Sequence, residues 1–118
     1  MFGFENLEVW KLAVEFAGQV YGATARFPSD ERFGLTAQMR RAAVSVSSNV
    51  AEGSSWSSRS DFARFVEIAY GSLMEVLSQG HIAKRLAFLL DEDFRELMVR
   101  GERLARMLSG LRSKLLKQ

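Results

Sequence analysis

The sequence predicts an all-α protein folded as an up-down-up-down antiparallel four-helix bundle. Apolar residues recur at gaps of three and four in four long stretches, the spacing that keeps them on one face of a helix. The breaks between these stretches are short, and one of them holds the only proline. No stretch alternates apolar and polar residues as a half-buried strand would.

The first helix is predicted over about residues 6–26. Asn6 suits an N-cap, and Glu5 and Glu8 suit the positive end of the helix dipole. Its polar positions, Glu8, Lys11, Glu15, Gly18 or Gln19, and Gly22, fall in a stripe only about 100° wide. The rest of its surface holds Leu7, Val9, Trp10, Leu12, Val14, Phe16, Val20 and Tyr21. One side of a monomeric bundle does not require so wide an apolar arc, so burial against another subunit is expected, with Trp10 at the interface.

Phe27-Pro28 ends that helix, because proline disfavours a helical residue before it. The second helix is predicted over residues 32–54. One register of it is apolar or small at Leu35, Met39, Ala42, Val46 and Gly53, with gaps of four, three, four and seven. Asn49 divides the last gap, so an amide is expected in the core as a register-setting group. The serine-rich loop Ser54–Ser60 follows, with Ser58 and Asp61 at capping-box spacing. The third helix is predicted over residues 60–89 on the seam Phe62, Val66, Ala69, Leu73, Val76, Gly80, Ala83, Ala87, Leu90. Asp91-Glu92-Asp93 then suits a new helix start. The fourth helix, residues 92–116, has the seam Phe94, Leu97, Gly101, Leu104, Leu108, Leu111, Leu115. Gly80 and Gly101 lie on seams, where they let two backbones approach closely.

The 118 residues make one domain, and 47% are hydrophobic at a mean hydropathy of −0.05. Cysteine is absent, which excludes disulfides and thiolate metal sites and fits a reducing cytoplasm. No apolar run is long enough to span a membrane, and the N-terminus lacks the basic start of a secretory signal, so a cytoplasmic location is expected. The net charge of +2 is unevenly placed. Residues 1–31 carry two basic and five acidic groups; residues 95–118 carry seven basic and two acidic groups. That asymmetry suits a polyanionic partner or a solvated helix face.

Catalytic patterns are missing. The single histidine, His81, has serine at position 78, so the Glu-x-x-His pairs of a dimetal bundle site do not form. There is no Walker-type phosphate loop and no Gly-x-Ser-x-Gly elbow. Glu52 and Glu75 could act as an acid/base pair across two helices, but each is more simply a partner for Arg40, Arg41 or Arg64. No enzymatic activity, cofactor or metal is expected. Gln38, Arg41, Ser45, Ser48, Asn49 and Glu52 recur at helical spacing as one polar ridge. It reads as a hydrogen-bond network between helices or subunits, or as a binding surface.

Asn6-Leu7-Glu8-Val9-Trp10, Phe27-Pro28, Glu31-Arg32-Phe33-Gly34-Leu35-Thr36 and Gln38-Met39-Arg40-Arg41-Ala42 carry a resemblance, as do Ser48-Asn49-Val50-Ala51-Glu52-Gly53 and Ala69-Tyr70-Gly71-Ser72-Leu73-Met74-Glu75. Together they resemble the "four helix bundle protein" family, which includes proteins encoded in intervening sequences of bacterial large-subunit ribosomal RNA genes. The chain is also similar to the accessory variability proteins of diversity-generating retroelements. The resemblance implies a four-helix bundle assembled as a homopentameric ring. Nucleic-acid binding and support of a reverse transcriptase are what the likeness to the retroelement relatives implies, and the resemblance supplies no catalytic residues. The expected nucleic-acid-binding residues are Arg40, Arg41, Arg100, Arg103, Arg106, Arg112 and Lys114. The expected interface or register residues are Trp10, Asn49 and Glu52. The other reading is a protein-binding scaffold with no nucleic-acid contact. A basic fourth helix on an anionic membrane is a third, but its regular seam favours bundle packing, so no membrane partner is expected.

Overall fold

In the computed structural model, which describes residues 2–56 and 58–117, the chain folds into four α-helices. They are α1 (Glu8–Thr24), α2 (Leu35–Ser54), α3 (Arg59–Arg85) and α4 (Asp91–Leu116). Each packs on its neighbour in sequence and α4 closes on α1, in a bundle of 47 × 22 × 20 Å. The α2–α3 pairing is the most extensive, and α1 and α4 meet least. The shared core centres on Phe16, Met39, Leu73, Leu97, Leu104 and Leu108, all fully buried. Each such side chain contributes about 1.5–3 kcal/mol relative to exposure.

The helix starts follow local chemistry. Asn6 is not the α1 cap: it ends a short 3₁₀ turn, Gly3–Asn6, and Leu7 caps α1 through its backbone alone. The second helix begins at Leu35 rather than Arg32, because Ser29–Glu31 forms a 3₁₀ turn first. The Glu31 carboxylate turns back and accepts the Leu35 N–H at 3.1 Å, supplying the cap that Gly34 lacks. Ser58 caps α3 as its spacing predicts, with Oγ accepting from the Asp61 N–H at 3.2 Å. Ser57, in the serine-rich loop, lies outside the described residues.

Two seam assignments are corrected. In α2 the position that divides the gap of seven is Val50, which is fully buried, not Asn49. Asn49 is half-buried, and its Nδ2 donates within its own helix to the Ser45 carbonyl and hydroxyl at 2.8 and 2.9 Å. An apolar residue was available one place along, so the core needs no amide. In α3 the seam stops at Ala83. The helix ends at Arg85, four residues before the expected Leu89; Ala87 turns to φ 62°, and Leu90 is 55% exposed. Gln19, assigned to the outer polar stripe of α1, instead has both amide atoms buried without a partner.

The seam glycines make room for side chains of the facing helix rather than for its backbone. A Cβ on Gly80 would lie 2.7 Å from Leu97 Cδ2, and one on Gly101 would lie 2.5 Å from Leu77 Cδ2. The Leu97 and Leu77 side chains of the facing helix therefore fill the space that a Cβ at each position would take.

Candidate nucleic-acid interface

The basic side chains of α4 divide by helical angle. Leu97, Gly101, Leu104 and Leu108 face the core, so the opposite surface carries Arg103, Arg106, Gly110, Lys114 and Lys117, all exposed. From Arg103 to Lys117 the sequence has no acidic residue. Gly110 sits within this surface, and a Cβ placed there would meet nothing within 4 Å. Arg100 lies toward α1 and Arg112 toward α3, off the stripe.

Three of these arginines are already paired. Glu96 holds Arg100 at 2.9 Å and Glu102 holds Arg106 at 3.1 Å, each one helical turn away. Arg112 bridges to Glu67 on α3. All three pairs are about half exposed or more, so each is worth at most a few tenths of a kcal/mol to about 1 kcal/mol and exchanges readily. Arg103 and Lys114 have no acidic partner among the described residues. Arg103 instead lines a cleft of about 230 Å³ between α1 and α4 with Leu12, Glu15, Arg100 and Leu104.

Arg40 and Arg41 do not form one site. Arg40 turns inward to the end of α1: its Nε donates to Thr24 Oγ1 at 2.9 Å, and its Nη2 to the Tyr21 carbonyl at 3.3 Å. Its guanidinium lies 4.5 Å from the Tyr21 ring centroid, within cation–π range. These contacts give it a structural role. Arg41, one residue on, points outward and lines a groove between α2 and α3 with Gln38, Ser45, Ser72 and Glu75.

The polar ridge of α2 is, in part, a network between helices. Ser45 Oγ and Ser72 Oγ are hydrogen-bonded at 2.9 Å, and Gln79 Nε2 donates to Gln38 Oε1 at 3.3 Å. This register sets Glu75 level with Ala42, so Glu52 lies ten residues, or about 15 Å, along the helix from it. The two carboxylates cannot share a proton, and neither pairs with Arg40, Arg41 or Arg64 among the described residues. Glu52 is exposed on α2. Trp10 is half-buried and packs edge-on against Phe4, with centroids 4.9 Å apart. His81 is exposed and meets Phe94 edge-on at 5.0 Å.

Sequence reasoning missed Arg59. It donates from Nε and Nη2 to the Leu115 and Lys114 carbonyls and so ties the end of α4 to the start of α3. The sequence holds no signal for this contact, because Arg59 opens α3 and only the fold brings it to the α4 C-terminus.

The fold and this surface define a four-helix bundle protein with a basic outer helix. The chain belongs to the 23S rRNA-intervening sequence protein family, whose pattern matches residues 5–110. It is also similar to the crystal structure of a protein of unknown function from the S23 ribosomal protein family of Bacteroides thetaiotaomicron. That likeness has a TM-score of 0.78 at 20% identity, covering 87% of this chain and 96% of that one. No curated protein matches the chain. No described helix is long and apolar enough to cross a membrane.

Proposed function

We propose that this chain is a non-enzymatic accessory protein that binds RNA or DNA in the cytoplasm through the outer face of α4, as a closed ring of identical copies, most simply a pentamer. The observation that carries the reading is the stripe Arg103, Arg106, Lys114 and Lys117, exposed around an open Gly110 and free of interleaved acids. A phosphate backbone can approach the helix closely where Gly110 adds no side chain. Affinity then comes mainly from phosphate contacts and counterion release, with little base preference from this face. Trp56, 55% exposed in the α2–α3 loop, adds one aromatic surface on which a base can stack. One helix binds a polyanion weakly; several copies on one ring bind by avidity with no new type of contact.

The outer face of α1 supports the ring. Val14 and Tyr21 are 43% and 45% exposed, and Gly18 and Gly22 stand beside them in open space. Each glycine costs the helix about 1 kcal/mol, and nothing within the protomer makes use of the room.

A gel-shift titration with structured RNA, duplex DNA and single strands tests the reading. Binding should fall by orders of magnitude between about 50 and 200 mM salt if six or more phosphates are neutralised. Arg103→Glu with Arg106→Glu should weaken every ligand alike and flatten the salt slope. If nothing binds at about 50 mM salt, the chain is a scaffold for a protein partner, such as a reverse transcriptase.

A further inference from the structure

The α2–α3 groove carries chemistry that phosphate binding does not use. From α2 it is lined by Gln38, Arg41, Ala42 and Ser45, and from α3 by Ser72 and Glu75, around about 420 Å³. Arg41 and Glu75 are both exposed, yet they pair neither with each other nor with any other charge among the described residues. The groove thus offers a guanidinium from one helix and a carboxylate from the other. Its floor is held in place: Ser45 and Ser72 bond each other, and Asn49 donates to Ser45. Gln79, only 8% exposed, donates to Gln38 Oε1 and, at 3.4 Å, to Glu75 Oε2. That contact steadies the carboxylate, while Gln79 Oε1 stays buried without a partner.

We propose that this groove takes an unpaired guanine base of a single strand; the inference rests on the nucleic-acid reading above. A ligand that spans it must present donors to Glu75 and acceptors to Arg41. Guanine alone among the bases offers two adjacent donors, N1–H and the N2 amine, with two acceptors, O6 and N7, on the neighbouring edge. Adenine and cytosine turn a ring-nitrogen lone pair toward the carboxylate beside their amine, and uracil turns carbonyls toward it. Glu75 accepts from N1–H and N2–H, Arg41 donates to O6 and N7, and the flat Ala42 floor lies beneath the ring. Such edges are free only in unpaired nucleotides, so loops and single strands are the targets. The outer face of α4 supplies affinity, and this groove supplies preference.

The test is fluorescence anisotropy of the full-length protein at about 50 mM salt with a labelled oligouridine, the same strand with one central guanosine, and the same strand with inosine there, which lacks the N2 amine. The guanosine strand should bind about tenfold more tightly than oligouridine, and inosine should lose most of that gain. Glu75→Gln should bind all three strands alike, at the unchanged oligouridine affinity. Equal binding of the three strands by the unaltered protein overturns this inference and leaves the phosphate-binding reading standing. Failure of every strand to bind overturns both. A guanosine preference that survives Glu75→Gln, or a variant whose sedimenting mass changes, also overturns it, because the base then sits elsewhere or the groove joins copies of the chain. Guanosine monophosphate that competes at the strand's own concentration identifies a free-nucleotide site and overturns the single-strand assignment.

Discussion

Ala87 closes α3 in a conformation that suits glycine. At φ 62° its N–H donates to the Lys84 carbonyl at 3.0 Å, and the next N–H, of Phe88, reaches back to Ala83 at 2.9 Å. This is the double bond pattern that ends helices at a left-handed residue. An L-side chain there costs about 1–2 kcal/mol, partly offset because glycine is freer when unfolded. The Ala87 methyl is exposed, so removing it loses no packing. Ala87→Gly should therefore stabilise the protein by roughly 0.5–1 kcal/mol, and a thermal melt should rise by a few degrees. An unchanged or lower melting temperature would show that the turn is not strained. The same residue explains why the α3 boundary was illegible: Ala83 and Ala87 continue the seam spacing, and no glycine marks the stop.

Between helices, the glycines differ in what surrounds them. A Cβ on Gly53 would meet Phe65 Cβ at 2.6 Å and Phe62 Cδ1 at 2.9 Å. Phe65 Cβ is fixed to the α3 backbone, so α2 and α3 would have to separate. At Gly80 the close atom is the tip of Leu97, which can rotate. Gly53→Ala should cost about 1–3 kcal/mol, the usual penalty for overpacking. Gly80→Ala should cost less, because the Leu97 tip can move aside, while both substitutions regain up to about 1 kcal/mol of helix propensity. Urea unfolding of the two variants compares them directly, and equal losses would refute the distinction. The candidate site was partly legible at this scale. The basic character of α4 is a property of composition, and the helical angle of Arg103, Arg106 and Lys114 follows from spacing. The separate fates of Arg40 and Arg41 did not, because adjacent helical residues lie about 100° apart and only the neighbouring α1 decides which one is engaged.

For the whole molecule, the exposed apolar surface of α1 around Val14, Gly18 and Gly22 predicts self-association. Sedimentation at micromolar concentration should show one species well above the 13.3 kDa of a single chain. Gly18→Ala with Gly22→Ala should strengthen α1 as a helix, since neither new methyl meets anything in the protomer. If copies pack closely on that face, the same methyls should lower the assembled mass while the circular dichroism spectrum stays helical. A uniform species of single-chain mass, or a double variant with unchanged mass, would exclude that face as the contact.

The sequence by itself determined the helix class, the number of helices, most of each seam and the uneven charge. Each of these rests on periodicity or composition, which are local properties. It put Asn49 in a core place that belongs to Val50, because positions one residue apart can divide a gap of seven equally well. Tertiary packing decided for Val50, since burying a methyl pair needs no partner and burying an amide does. Packing also turned Arg40 onto α1, set Ser45 against Ser72, and left Arg41 and Glu75 unpaired across one groove. Those relations depend on the register between helices, which many side chains set together and no single stretch of sequence contains.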